Sequence, residues 1–216
     1  AVSGAATDLL ARDDSKNLVV IGAGAQGVLL AAAVAAVRPI EKITVVDMYE
    51  ESLGRYREAI AKDWPDLADR VETTTDSSVV RDADVICTAT TARKPVFNDS
   101  DVRPGTHINA IGAFTPEMQE LPPELVARAS LVVDQVHAVL EEAGDFIKPI
   151  EDGTLDRNRV SRELGQLVAG DVPGRTSDDE ITLFKSVGNA VQDVTVARRA
   201  VIRARETGAG QEASID

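Results

Sequence analysis

The sequence predicts an α/β fold, a doubly wound parallel sheet, and three observations carry that prediction. Asn17–Ile21 is a short β-branched run with no polar alternation, the pattern of a parallel strand buried on both faces. It leads directly into Gly22-Ala23-Gly24-Ala25-Gln26-Gly27 and then into an Ala- and Leu-rich stretch, 28–37, that stops at Arg38-Pro39. Lys42–Val46 repeats the strand pattern and ends on Asp47, which completes a strand–helix–strand unit of the kind a parallel sheet is built from.

The remaining elements follow in order. A charged amphipathic segment, Glu50–Asp63, supplies the next helix. Short strands are expected at 70–73, 83–88, 106–111 and 131–133, with one helical turn at 77–81. Asp134 is placed to cap a helix running to 143. Beyond Phe146 the alternation stops: Lys148-Pro149-Ile150 and Asp152-Gly153 mark turns, and 162–168 reads as a short helix. Residues 182–206 read as one long helix, with Phe184, Val187, Val191, Val194 and Ala197 at spacings of three and four. The nucleotide-binding domain is therefore assigned to 16–145. Residues 1–12 read as a helix already under way, so a segment is expected upstream.

Composition bounds the function. With 44% hydrophobic and 27% charged residues the chain has the balance of a packed protein. No apolar run approaches the roughly 20 residues of a membrane span and no signal peptide opens the chain, so a cytoplasmic protein without a membrane partner is expected. The net charge of −13 opposes nucleic acid as a partner. It reads as a solvated acidic surface, either ordinary variation or adaptation to a high-salt cytoplasm. Cys87 is the single cysteine, so no disulfide framework or zinc cluster is available and no metal is expected.

The glycine loop is the firmest chemical signal. Gly22 permits the turn out of the strand, Gly24 lets the backbone approach a pyrophosphate, and Gly27 lets the helix pack closely on the sheet. Ala25 and Gln26 stand at the helix start, where backbone N–H groups and the helix dipole favour an anion. The loop follows a buried strand, opens a helix and precedes Asp47 at the end of the next strand, which is the context of a Rossmann dinucleotide site. Asp47 selects NAD over NADP. Its carboxylate accepts hydrogen bonds from ribose hydroxyls, whereas a 2′-phosphate about 4 Å away would be repelled by about 4 kcal/mol at an effective dielectric of about 20. Even about a third of that is about a tenfold preference. Arg55 and Arg57 lie further along the helix and would have to bend back to receive a phosphate.

The next walls of the cofactor site are expected at the strand ends. Thr88-Ala89-Thr90-Thr91 and Ile111-Gly112-Ala113 offer small residues and hydroxyls to the ribose and nicotinamide, so Thr88, Ala89, Thr90, Ile111, Gly112 and Ala113 join the candidate site. Cys87 reads as a small buried hydrophobe, His107 and His137 as structural or surface histidines, and Asp134 as a cap.

Several segments together resemble the ornithine cyclodeaminase/mu-crystallin family, which includes archaeal-type alanine dehydrogenases and ketimine reductases. They are 1–12, the glycine loop, Cys87-Thr88-Ala89-Thr90-Thr91 with Pro95-Val96, 105–113, Glu142-Ala143-Gly144-Asp145, Gly174-Arg175-Thr176 and, most specific, 179–193. The resemblance implies a homodimeric two-domain enzyme whose nucleotide domain is inserted into a substrate and dimerisation domain. On that reading 1–15 and 146–216 are remnants of the second domain at both chain ends. It also implies a substrate-holding Arg and a catalytic Lys from an N-terminal segment. Neither has a counterpart here, so the catalytic residues stay unassigned and the chain alone is expected to bind cofactor without turnover.

The family's cyclodeaminases carry an Asp where Phe114 aligns, and a phenyl ring cannot move protons. The leading expectation is therefore an NAD-dependent oxidoreductase transferring hydride at the Cα–N bond of a small amino acid or its cyclic imine. The alternatives are a crystallin-like NAD-binding protein without catalysis and ornithine cyclodeaminase proper. A Rossmann enzyme unrelated beyond its fold would have no reason to carry 179–193.

Overall fold

The computed structural model describes residues 1–211 and 213. Seven parallel strands form one sheet: β1 (Asn17–Ile21), β2 (Lys42–Val46), β3 (Val71–Thr74), β4 (Val85–Thr88), β5 (His107–Ala110), β6 (Ser130–Val133) and β7 (Thr182–Lys185). Their order is β3-β2-β1-β4-β5-β7-β6. Nine helices accompany them among the described residues: α1 (Val2–Leu10), α2 (Ala25–Ala35), α3 (Glu50–Asp63), α4 (Pro65–Ala68), α5 (Pro123–Arg128), α6 (Val136–Glu142), α7 (Gly144–Glu151), α8 (Leu164–Ala169) and α9 (Ala190–Thr207).

Side-chain alternation along each strand sorts the apolar residues onto two faces, so a continuous apolar run becomes two cores. Leu18 and Val20 of β1, Ile43 and Val45 of β2, and Val85 and Cys87 of β4 pack with α2 and α3. Val132 and Phe184 extend that face beneath Ala6 and Leu10 of α1 and Leu164 and Leu167 of α8. Val19 and Ile21, Ile86, Ile108 and Leu183 point the other way, against Leu125 and Val126 of α5, Val139 of α6 and Phe146 of α7. Because every pairing is parallel, all seven carboxyl ends share one edge of the sheet. The order reverses direction between β1 and β4, and a ligand crevice is expected outside the strand ends at that point.

Three local expectations are corrected. Residues 182–206 are not one helix: Thr182–Lys185 is a buried strand paired with β5 on one side and β6 on the other. The break falls at Gly188, whose φ of 98° no ordinary helix residue adopts, and Asn189 then caps α9 through its side chain and Val191 N. The apparent three- and four-residue spacing joined the apolar residues of a strand to those of a separate helix. Asp134 does not cap α6, whose N-cap is Gln135; its carboxylate accepts from Ser186 Oγ and from the N–H groups of Val187 and Gly188. Lys148-Pro149-Ile150 lie inside α7 and not in a turn. Among the described residues no helix is long and apolar enough to cross a membrane.

Candidate cofactor-binding cleft

The turn from β1 into α2 is set by backbone contacts that only glycine permits. Gly22 has φ 107°, and a Cβ there would lie 2.4 Å from Ala89 O. A Cβ on Gly27 would lie 2.2 Å from Gly22 O, so the helix can approach the strand only without one. Gly24 differs: a Cβ there would meet nothing within 4 Å, and the residue is exposed. The absence of a side chain at Gly24 therefore keeps space open outside the loop. Gly24 is also the N-cap of α2 and offers no side-chain cap, which leaves the first-turn N–H groups, those of Ala25 and Gln26 included, to an external acceptor.

Asp47 sits half-buried at the carboxyl end of β2, beside this loop. Its Oδ2 accepts from Ala23 N at 2.9 Å and its Oδ1 from Tyr49 N at 3.0 Å, which fixes the carboxylate next to the glycine turn. Arg55 is engaged with Glu51 and Ser52, and Arg57 with Thr73 Oγ1. Both guanidiniums therefore already have partners other than Asp47.

A cleft of about 570 Å³ opens at the carboxyl edge of the sheet. Gln26 and Leu29 of α2 form one wall, Ala89 and Thr90 after β4 with Ile111 and Gly112 after β5 another, and residues 186–189 after β7 a third. The start of α1 and the first two turns of α9 close its rim. Phe114, 52% exposed, also lines it. Of the residues expected from the sequence, Gln26, Ala89, Thr90, Ile111 and Gly112 are on the wall, and Gly22, Gly24, Ala25, Gly27 and Asp47 form the adjoining loop region. Thr88 and Ala113 are fully buried behind the wall.

What lies behind that wall is a buried ionic group that the sequence did not announce. Glu120, fully buried, accepts from five donors: Thr90 N at 2.6 Å and Thr90 Oγ1 at 2.8 Å on Oε1, and Thr88 Oγ1 at 2.8 Å, Gly112 N at 2.7 Å and Ala113 N at 3.1 Å on Oε2. The N–H groups of Glu120 and Leu121 in turn donate to Asp145 Oδ1, and Asp145 Oδ2 receives Lys185 Nζ at 3.0 Å. Burial and then the charge of Asp145 push the Glu120 carboxyl up, while Lys185 and the donors from Thr90 and Thr88 pull it back. The one sequence signal was an acid within the otherwise uncharged stretch 118–123, and it gave no partner.

Cys87 is a small buried side chain, and the two histidines are one buried and one surface residue, as expected from the sequence. Burial pushes the Cys87 thiol up to about 12, which removes it as a nucleophile. His107 is fully buried, and desolvation followed by the Arg175 charge lowers its pKa to about 3. Thr182 Oγ1 donates to Leu10 O, so His107 Nδ1 donates to Thr182 Oγ1 and the ring is a neutral structural tautomer. His137 is exposed beside Glu141. Among the described residues no group of three His, Cys, Asp or Glu is placed to hold a metal ion.

Comparison with known proteins gives a consistent picture. The ornithine cyclodeaminase/mu-crystallin family matches over residues 1–208. A Delta(1)-pyrroline-2-carboxylate reductase of Bacillus cereus is 41% identical over 213 residues, 98% of this chain and 65% of the relative. The solved Thermococcus litoralis Delta(1)-pyrroline-2-carboxylate reductase, in complex with NADH and L-proline, superposes with a TM-score of 0.91 at 39% identity, covering 98% of this chain and 65% of that one. An archaeal alanine dehydrogenase dimer with bound NAD superposes at 0.86 with 31% identity, covering 100% and 65%. The chain thus spans 65% of the length of these relatives.

Proposed function

The chain belongs to the ornithine cyclodeaminase/mu-crystallin family, and we propose that it is the NAD-holding part of a reductase acting on a small cyclic imine carboxylate of the Δ1-pyrroline-2-carboxylate class. The observation that carries this reading is the junction of three features at one sheet edge: the open space at Gly24, the anchored Asp47 carboxylate, and the cleft between the β4 and β5 loops.

The residues present fit the dinucleotide. The N–H groups at the start of α2 take the pyrophosphate, and Asp47 takes the adenosine ribose hydroxyls. Thr90, Ile111 and Gly112 face the nicotinamide half, with Thr88 and Ala113 holding those loops from behind. Bound there, NAD supplies or accepts the hydride. The protein's work is to hold the ring at the mouth of the cleft and keep water from its inner face, which Leu29 and Ile111 do with apolar surface. Phe114 stands on the rim where an acid would be needed for ornithine cyclisation, and this favours simple reduction at the Cα–N bond. The relatives named as Delta(1)-pyrroline-2-carboxylate reductases support the cyclic imine as substrate, and the alanine dehydrogenase supports a small amino acid as the alternative.

The carboxylate-holding Arg and the Lys that the family resemblance implies have no counterpart among these residues. Turnover is therefore proposed to need them from outside the shared 65%, in a cytoplasmic homodimer whose second domain includes 1–15 and the 146–216 segment apart from β7, which stays in the nucleotide-domain sheet. The test is direct. The chain should quench or shift NADH fluorescence on titration, bind NADPH about tenfold more weakly, and leave NADH absorbance unchanged with Δ1-pyrroline-2-carboxylate, alanine or ornithine. Asp47→Ser should narrow the NADH to NADPH gap. Failure to bind NADH, or tighter binding of NADPH, would overturn the reading; turnover by this chain would overturn the assignment of catalysis to residues outside it.

A further inference from the structure

We infer that Glu120 is the positioning residue of the nicotinamide half of the cleft: its one carboxylate fixes the spacing of the β4 and β5 loops that form the wall. The inference rests on the reading of that cleft as the nicotinamide site and adds to it a residue that touches no ligand.

The geometry is specific. Oε1 holds only the β4 loop, through Thr90 N and Thr90 Oγ1. Oε2 holds the strand end at Thr88 and both N–H groups of the β5 loop, Gly112 and Ala113. The two loops are already in close contact, since a Cβ on Gly112 would lie 2.3 Å from Thr90 O. Gly112 can therefore carry no side chain there, and the clamp comes from a third segment. That segment is itself fixed, because Asp145 at the start of α7 accepts from Glu120 N and Leu121 N and is held by Lys185 at the end of β7. The chain of groups ends at Lys185, which directly precedes Ser186, the first residue of the third cleft wall. Two of the three walls, the β4–β5 wall directly and the 186–189 wall through Lys185, are thereby referenced to one buried ionic group. A buried carboxylate that receives five donors cannot shift without leaving backbone N–H groups unpaired, which gives the wall a stiffness that loops of this length lack on their own.

The clamp predicts a split between the two halves of the dinucleotide. The adenosine half is gripped by the glycine loop and Asp47, which Glu120 does not touch. Glu120→Gln replaces one acceptor oxygen with an amide. Turned toward Oε1, that amide opposes only Thr90 N, because the Thr90 hydroxyl can rotate and accept. Turned toward Oε2, it opposes both Gly112 N and Ala113 N. The substitution should therefore release the β4 loop and spare the β5 loop.

The experiment titrates this chain, unaltered and as Glu120→Gln, with NADH and with ADP-ribose, which lacks the nicotinamide. Expected is a loss of about tenfold in NADH affinity, the scale of one or two lost hydrogen bonds, with ADP-ribose changed by less than about twofold. Thr88→Val removes one buried donor from the clamp without altering the cleft wall and keeps the test open if Glu120→Gln fails to fold. It should weaken NADH by about threefold, again sparing ADP-ribose. Equal weakening of both ligands would mark Glu120 as merely structural and overturn the inference, as would NADH affinity that neither substitution moves. Absence of NADH binding by the unaltered chain would overturn the functional reading and the inference together, whereas intact binding in the variants overturns the inference alone.

Discussion

In the glycine loop, one added methyl group has opposite consequences at Gly24 and Gly27. At Gly24 it would enter open space, so Gly24→Ala and the larger Gly24→Val should leave the melting temperature nearly unchanged while weakening or abolishing NADH binding. At Gly27 it would sit 2.2 Å from Gly22 O, a backbone atom that cannot swing aside. Gly27→Ala should lower stability by about 1–3 kcal/mol, the range for overpacking a close contact, before any effect on cofactor is measured. Thermal unfolding and NADH titration on the same samples separate the two. Loss of fold in Gly24→Ala would refute the assignment of that space to a ligand. His107 offers a second test at this scale. Its folded pKa of about 3 lies below the ordinary 6.5, so the unfolded chain binds more protons between those values and stability falls as pH drops through that window. The loss is about 1.4 kcal/mol per pH unit at its steepest, or about 2 kcal/mol between pH 7 and pH 5. Urea unfolding at the two pH values should show this slope in the parent chain and a flatter one in His107→Val, and identical slopes would show that the ring is not held neutral.

Among the elements, β7 is the one on which most depends. It lies between β5 and β6, and its last residue, Lys185, is fully buried against Asp145 at the N-terminal turn of α7. Both groups are out of water, so removing the cation alone leaves two buried carboxylates, Asp145 and Glu120, without a counter-charge. Lys185→Met should cost about 3–5 kcal/mol, as breaking one side of a buried pair commonly does. Adding Asp145→Asn should recover a good part of it, because the amide oxygen can still accept from Glu120 N and Leu121 N. Urea denaturation of the single and double variants measures the coupling, and strictly additive losses would argue against the pair. The sequence showed Thr182-Leu183-Phe184-Lys185 only as part of a helical pattern. A strand buried on both faces carries no alternation, so periodicity could not tell it from a segment of the helix that follows.

For the whole molecule, α9 departs from the rest. Among its described residues none is buried, and Val191, Val194, Val196 and Val201 are exposed along it. An apolar stripe of this kind, on a helix that reaches the cleft rim only through Gln192, Asp193 and Val196, drives association. Light scattering of the chain should report a mass above that of a monomer, and Val194→Glu with Val201→Glu should lower it. A clean monomer for the parent chain would remove the argument. The expected homodimer would gain support if the variants dissociate without losing NADH affinity, since the glycine loop and Asp47 are distant in sequence from those valines.

The sequence by itself determined the first strand–helix–strand unit of the sheet and the dinucleotide loop. Their signals are local: a β-branched run, three glycines and a carboxylate at the next strand end, all within residues 17–47. Such features are written in consecutive residues because the unit closes on itself. The resemblance carried by 179–193 likewise needed no structure to be read. Only the tertiary structure decided where β7 goes, why Asp134 serves the 186–188 turn instead of capping α6, and what holds the cleft wall together. Glu120 reaches Thr88 across 32 positions and Asp145 reaches Lys185 across 40. The energetic reason for each partner lies in burial that no local pattern reports: a charged side chain is costly inside a sheet until its partner arrives from a distant segment, and packing is what brings that partner in.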